Sequence, residues 1–148
     1  MRQMKKTMQK NVIELHLPSI IGYEKVAMES VAAVARIMGF HQNRIEDLKT
    51  AVAEACINAM EHGNRFKTNT RVLVTLKMDK QCLEVNVKDQ GKGLQQPLKT
   101  PHLEKQIEGK EDVRGWGIFL IKNLVDEVEF KKIPRGGCVT RMVIHLNR

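Results

Sequence analysis

Residues 44–62 (RIEDLKTAVAEACINAMEH) would carry apolar or small side chains around nearly the whole circumference of a helix. At about 100° per residue, one face of that helix collects Ile45, Leu48, Val52, Cys56 and Ala59. A helix of this kind has to be largely buried, so other elements must cover it. The remaining polar strip holds Glu54 and Asn58 one turn apart, with a carboxylate and a carboxamide that project into the same space. We take them as candidate functional residues; a solvated polar stripe is the alternative.

The rest of the chain supplies elements that can cover this helix. The predicted strands are 12–17, 70–78, 82–88, 127–133 and 138–146, and the other predicted helices are 22–38 and 117–126. Asn43 is predicted to cap the helix at 44–62 and Gly63 to end it. Hairpins and helices fall in separate runs. This order predicts an α+β fold, a two-layer sandwich with helices on one face of a mixed, mostly antiparallel sheet.

Composition limits the class of protein. A length of 148 residues suits one domain, and no apolar run approaches the ~18 residues that a membrane-spanning helix needs. The net charge of +8 invites a nucleic-acid partner, but four basic residues within the first ten supply half of it, and aromatic content is only 4%. We therefore expect a flexible basic tail at 1–10, a single domain at 11–148, and neither a nucleic-acid nor a membrane partner. The three cysteines are scattered and lack CxxC spacing, which indicates a reducing cytoplasm and no structural metal.

A second candidate site residue ends a predicted strand. In residues 82–89 (CLEVNVKD), Asp89 has the parity of the leucine and the valines, so it points to the apolar face. An unpaired carboxylate there would be costly. Gly91 and Gly93 follow and allow a ligand to approach the backbone closely. A plain turn after a strand is the alternative interpretation.

A third feature precedes the last predicted helix. Arg114, Gly115, Trp116 and Gly117 lead into it, and free N–H groups at a helix start favour phosphate. Arg114 would add a charge-assisted contact. A simple helix entry is the alternative. The stretch before it is polar and rich in glycine and proline, which predicts that residues 94–114 form a mobile lid.

In this order, the three features resemble the motifs of the GHKL ATPase superfamily, which has the Bergerat or histidine-kinase-like ATPase fold. VAEACINAMEHG is similar to its N box, VKDQGKGL to its DxGxG box, and RGWGIFLIKNLVDEVEF to its second glycine box. The resemblance runs from about residue 12 to 146 and is strongest to the anti-sigma-factor serine/threonine kinases.

The resemblance implies roles for the base-binding and catalytic residues. Asp89 would accept a hydrogen bond from the adenine amino group of ATP, and Gly91 and Gly93 would let the backbone pass the nucleotide. Asn58 would coordinate Mg²⁺ bound to the phosphates, and Glu54 would act as the general base.

The resemblance also implies a phosphate end and an adenine wall. Gly115 and Gly117, with Trp116 between them, would hold phosphates, and Arg114 would stabilise the charge in transfer. Near adenine, Cys138 stands where the family often has threonine, and Thr140 faces the same side. Which of these two faces the base stays open.

The function that the resemblance implies is that of a cytoplasmic anti-sigma regulatory factor. It would use ATP and Mg²⁺ to phosphorylate an anti-anti-sigma partner on serine or threonine, and it would sequester a sigma factor. Dimers are common in that family, so a homodimer is compatible with the sequence. The alternative is a non-catalytic module that binds ATP and a protein partner.

Overall fold

A five-stranded sheet forms one layer of the protein. The computed structural model describes residues 11–91 and 113–147, with the backbone alone at 113–115. The strands are β1 (Asn11–Pro18), β2 (Arg71–Met78), β3 (Cys82–Lys88), β4 (Glu127–Lys132) and β5 (Cys138–His145). Their order across the sheet is β1-β2-β3-β5-β4, and each neighbouring pair is antiparallel. The predicted parallel component is therefore absent from the described strands.

Three helices form the second layer. They are α1 (Glu24–Met38), α2 (Gln42–Asn58), which continues through a π-helical turn (Ala59–Gly63), and α3 (Val113–Leu124). The order of helices and strands confirms the prediction. None of the described helices is long and apolar enough to cross a membrane.

The core lies between the helices and one face of the sheet. Alternating apolar residues of the strands enter it because successive strand side chains point to opposite faces. The largest fully buried side chains include Leu76, Leu83, Met142 and Ile144 from strands, and Ile45 and Leu48 from α2. The α2 face predicted to be apolar is at most 6% exposed, so the predicted burial of this helix is confirmed.

The other face of the sheet is polar. Arg141 of β5 lies on it, 3.2 Å from Glu84, 3.1 Å from Glu129 and 3.7 Å from Glu127. Helices on one face and ion pairs on the other make the molecule a two-layer α+β sandwich, as predicted.

Both early helices begin at residues other than the predicted ones. α1 starts at Glu24 because Gly22 has a φ of 113°, which a right-handed helix does not allow. α2 starts at Gln42, so Asn43 lies inside its first turn and the predicted cap is wrong. Gly63 lies within the π-helical turn, and the residue that follows the helix is Asn64.

α3 differs most from the prediction. It runs from Val113 to Leu124, where 117–126 was predicted. Gly115 and Gly117 therefore lie inside the helix, where a glycine costs ~1 kcal/mol relative to alanine. Burial of Ile118 and Ile121 in the same helix offsets this cost. The basic tail at 1–10, Gly93 and most of the predicted lid lie outside the described residues.

Candidate functional site

The polar strip of α2 faces a glycine of α3. Glu54 and Asn58 are half-buried, and Gly117 is buried against them. A β-carbon on Gly117 would lie 2.7 Å from Oε2 of Glu54 and 3.3 Å from Nδ2 of Asn58. The structure thus brings together three residues that the sequence predicted for one site. A glycine at 117 leaves the carboxylate and the carboxamide the room that any side chain would take.

Asp89 lies just beyond the end of β3 and is 3% exposed, which confirms that it points to the buried face. Its Oδ1 accepts hydrogen bonds from the backbone N–H groups of Gly91 (3.1 Å) and Cys138 (3.2 Å). Its own N–H donates to the carbonyl of Cys138 at 3.0 Å. N–H donors of this kind compensate a buried negative charge, so the carboxylate is held in place.

Two glycines allow the chain to close around Asp89. A β-carbon on Gly63 would overlap the Asp89 carboxylate, and a β-carbon on Gly91 would overlap the Gly63 carbonyl. Any other residue at 63 or 91 would force these segments apart. The sequence pattern predicted Gly63 only as the end of a helix and did not predict this contact. Its place in the quoted box VAEACINAMEHG was the one signal available.

Cys138 and Thr140 share one side of β5. Thr140 is paired with Val87 of β3. The carbonyl of Cys138 accepts from the Asp89 N–H, and the N–H of Cys138 donates to the Asp89 carboxylate. Both side chains are half-buried and have the parity of buried Met142. Cys138 is therefore the direct neighbour of the carboxylate, and Thr140 lies two residues further along the strand.

The residues predicted to bind phosphate at the start of α3 lie at different positions in the helix than expected. The Trp116 ring meets the Phe119 ring edge-on, with centroids 5.8 Å apart. Gly115 is the third residue of α3, where helix N–H groups lack a partner within the helix. Gly117 is the fifth residue, so its N–H falls within the helix and is not one of the free groups predicted to hold phosphate. The side chain of Arg114 lies outside the described part of the chain.

The two halves of the site share one support. Glu54 and Asn58 lie on the last turns of α2. Gly63 follows Asn58 by five residues and contacts Asp89. Five helical residues rise roughly 7 Å, so the two ends of the candidate site are separated along this helix by about that distance. Residues 18–144 match the family model of the histidine kinase-like ATPase domain.

The chain belongs to the histidine kinase-like ATPase family. The serine-protein kinase RsbW of Bacillus subtilis (strain 168) is 31% identical over 140 residues, which cover 91% of this chain and 86% of that protein. RsbW of Bacillus pumilus (strain SAFR-032) is 34% identical over 149 residues, with 93% and 88% covered. The anti-sigma F factor of Thermoanaerobacter sp. (strain X514) is 31% identical over 144 residues, with 92% and 94% covered. The predicted relationship to anti-sigma serine kinases is thereby confirmed.

A solved structure supports the fold. The crystal structure of the RsbU and RsbW domains of Rv1364c from Mycobacterium tuberculosis superposes with a TM-score of 0.62 at 19% identity. The match covers 93% of this chain and 33% of that one. As a member of the histidine kinase-like ATPase family, this protein uses ATP.

One cysteine of this ATPase belongs to the core rather than to the site. Cys56 of α2 is fully buried, and burial, with a smaller effect of the Glu24 charge, raises the pKa of its thiol to about 12. Since the thiolate is the reactive form, Cys56 is an inert packing residue.

The sequence contains no sign of a buried amide beside the loop at residues 89–91. Asn64 is 1% exposed, and its Oδ1 accepts a hydrogen bond from the N–H of Gln90 at 2.7 Å. Gln90 is the residue between Asp89 and Gly91. No periodicity or motif in the sequence pointed to Asn64, because its partner is 26 residues away along the chain.

Proposed function

We propose that this protein is a cytoplasmic anti-sigma factor with ATP-dependent serine/threonine kinase activity. It phosphorylates an anti-anti-sigma partner and sequesters a sigma factor. The names of the relatives support the proposal, since RsbW is called a serine-protein kinase and another relative an anti-sigma F factor. The observation that carries it is the Glu54 carboxylate, which lies beside Asn58 and Gly117 at one end of the site. A module that only bound ATP would have no need of a base there.

Asp89 is the residue that recognises adenine in this proposal. A carboxylate offers about four acceptor positions, so Asp89 can hold the loop through Oδ1 and accept from the adenine amino group as well. Gly91 lets the loop close against the last carbonyl of the π-helical turn. By resemblance, Gly91 and Gly93 are both assigned to the backbone that passes the nucleotide. Cys138 is the nearer neighbour of the base and Thr140 the farther one, because Cys138 is bonded directly to Asp89.

The other end of the site suits phosphates and a magnesium ion. Carboxylate and carboxamide oxygens are ligands that Mg²⁺ accepts, and the space in front of Gly117 is one that a β-carbon would fill. Asn58 would hold the ion, which supplies charge neutralisation for the phosphates. Arg114, Gly115 and Trp116 are assigned to the phosphate end because they open α3, where N–H groups are free.

The transfer itself requires positioning and one proton acceptor. The hydroxyl oxygen of a serine or threonine on the partner attacks the γ-phosphorus, and the bond from that phosphorus to the bridging oxygen breaks. ADP leaves with the electron pair. Glu54 takes the hydroxyl proton as the new bond forms, a contribution of typically 10²–10⁴-fold in rate.

Calorimetric titration with Mg²⁺ and ATP, ADP or GTP tests nucleotide recognition. We expect the wild type to bind ATP and ADP and to discriminate against GTP, and Asp89→Asn to weaken ATP binding because the charge that orients the loop is lost. Asp79→Asn, the same change in the β2–β3 turn, is the control and leaves ATP binding unchanged. A wild-type protein that binds neither ATP nor ADP contradicts the proposal.

A further inference from the structure

The buried side chain of Asn64 joins three segments of the fold. Its Oδ1 accepts from the Gln90 N–H at 2.7 Å. Its Nδ2 donates to Oγ of Ser19 at 2.9 Å and to the carbonyl of Arg71 at 3.0 Å. One carboxamide therefore ties the loop after β3 to the end of β1 and to the start of β2.

Gln90 is held at two points by this arrangement. Its N–H is bound by Asn64, and its Oε1 accepts from the N–H of Arg71 at 2.6 Å. Gln90 separates Asp89 from Gly91, and the N–H of Cys138 donates to the Asp89 carboxylate. The loop that carries Asp89 is therefore tied to β5 through Cys138 and to Asn64 through Gln90.

The carboxamide of Asn64 matches its partners at both ends. The site needs an acceptor at one end and two donors at the other, and a carboxamide supplies both. Alanine would leave the Gln90 N–H without this acceptor and the Arg71 carbonyl without this donor. Aspartate would keep the acceptor for Gln90 and lose the donors. The two contacts can thus be separated by substitution.

The backbone after Asn64 is strained. Arg65 and Phe66 have φ angles of 53° and 55°, in the left-handed region that costs such residues roughly 1–2 kcal/mol each. Such strain persists where the surroundings over-determine the conformation, and it clusters at ligand sites. Here the side-chain hydrogen bonds of Asn64 hold the residue before this segment, and the Phe66 N–H donates to the Met60 carbonyl at 2.8 Å.

We infer that Asn64 is a positioning residue for base recognition. Through the Gln90 N–H it sets the place of Asp89, and thereby the affinity for ATP and the preference for adenine over guanine. The inference rests on the proposed role of Asp89, but the hydrogen bond that carries it is testable without nucleotide.

Amide hydrogen exchange of the nucleotide-free protein, followed by NMR, tests the hydrogen bond. In the wild type, the Gln90 amide is protected. In Asn64→Ala we expect its exchange to rise about 100-fold or more, while the amides of Val74 and Val85 in the sheet stay protected. Ser19→Ala is the matched control, because it removes one Nδ2 partner and leaves the Gln90 contact. Unchanged protection of Gln90 in Asn64→Ala overturns the inference.

Titrations of ATP and GTP on the same variants test the consequence. Asn64→Ala should weaken ATP binding about tenfold or more and reduce the ATP-over-GTP preference, and Ser19→Ala should stay within about twofold of wild type in both. Wild-type affinity and preference in Asn64→Ala would refute the inference. A wild type that binds no ATP would instead refute the proposed function, and the exchange result would still judge the Gln90 contact.

Asn64→Asp keeps the test decisive if Asn64→Ala does not fold. It retains the acceptor, so Gln90 should remain protected and the adenine preference should persist, although the protein is less stable. Loss of the preference while Gln90 stays protected would mean that the Gln90 contact does not position Asp89.

Discussion

The carboxylate of Asp89 occupies the space that a β-carbon on Gly63 would fill. The end of α2 and the end of β3 can meet there only because residue 63 has no side chain. The contact joins Asp89, the residue proposed to recognise adenine, to the helix that carries Glu54 and Asn58. It therefore sets how the two ends of the candidate site are arranged.

We expect Gly63→Ala to displace Asp89 and to weaken ATP binding about tenfold or more. Forcing a methyl group into a packed contact typically costs 1–3 kcal/mol of stability as well. Gly39→Ala is the control, because its φ of 94° strains an alanine while nothing lies near the added carbon. Both variants should lose stability, and calorimetry should find weaker ATP binding only in Gly63→Ala. Equal affinity in the two variants would contradict the assignment.

Gly117→Ala should slow phosphate transfer while leaving the stability of the protein nearly unchanged. The added carbon would meet Oε2 of Glu54 at 2.7 Å, the free end of a side chain that can swing away. Alanine also stabilises a helix by about 1 kcal/mol relative to glycine. Because this gain offsets the cost of displacing the Glu54 side chain, the unfolding free energy should change little. The rate of phosphate transfer should fall about tenfold or more because Glu54 is displaced.

The double variant Gly117→Ala, Glu54→Gln shows whether that loss acts through Glu54. If it does, the double variant transfers phosphate no more slowly than Glu54→Gln alone. Two independent losses that multiply would mean that Gly117 acts elsewhere.

The three cysteines should differ in their reaction with iodoacetamide. Cys56 is fully buried with a thiol pKa of about 12, so it should stay unmodified at pH 8 until the protein unfolds. Cys138 and Cys82 are half-buried and should react. ATP should slow the labelling of Cys138 about tenfold and leave Cys82 unchanged, since Cys82 begins β3 roughly 20 Å from its end. Mass spectrometry that finds Cys138 labelled equally fast with ATP would place the adenine away from it.

The ion pairs on the polar face of the sheet should stabilise the protein less in acid. Burial raises the pKa of the Glu84 carboxyl, but the Asn86 hydrogen bond and the charges of Arg141 and Lys77 outweigh it and lower the pKa. A lowered pKa stabilises the folded state above the unfolded value of about 4.3, and this contribution disappears as pH falls through the folded pKa.

Glu84→Gln tests that effect by urea unfolding at several pH values. The variant should be about 1–2 kcal/mol less stable than wild type at pH 7, and the difference should shrink below about pH 4. Glu14→Gln is the control on the same face, where the carboxylate is 58% exposed and 4.0 Å from His16. A difference that is the same at pH 7 and in acid would contradict the assigned cause.

Local patterns predicted most of the sheet and the burial of α2. The two-residue period of 82–88 correctly predicted which side chains of the strand face the core. The same parity correctly predicted that Asp89 points toward the core. The start of α3 was not predictable in this way, because Gly115 and Gly117 are helix breakers by propensity. Their place in a helix follows from packing on α2, which a local pattern does not contain.

Contacts between distant segments account for the rest. Gly63 and Asn64 act on residues 89–91, and no periodic signal connects positions that far apart. The ion pair between Arg44 and Asp126, at 3.0 Å, is of the same kind and joins the start of α2 to the bend that follows α3. Such residues are identified from the folded chain.

Transfer of the radiolabelled γ-phosphate from ATP to a purified anti-anti-sigma partner tests the central claim most directly, with ATP binding measured in parallel. We expect the wild type to label a serine or threonine of the partner. Glu54→Gln should bind ATP within a few-fold of wild type while transfer falls about 10²–10⁴-fold, because the amide cannot take the proton. Transfer by Glu54→Gln at the wild-type rate would remove Glu54 from the mechanism. A wild-type protein that binds ATP and its partner but transfers no phosphate would be a binding module and not a kinase.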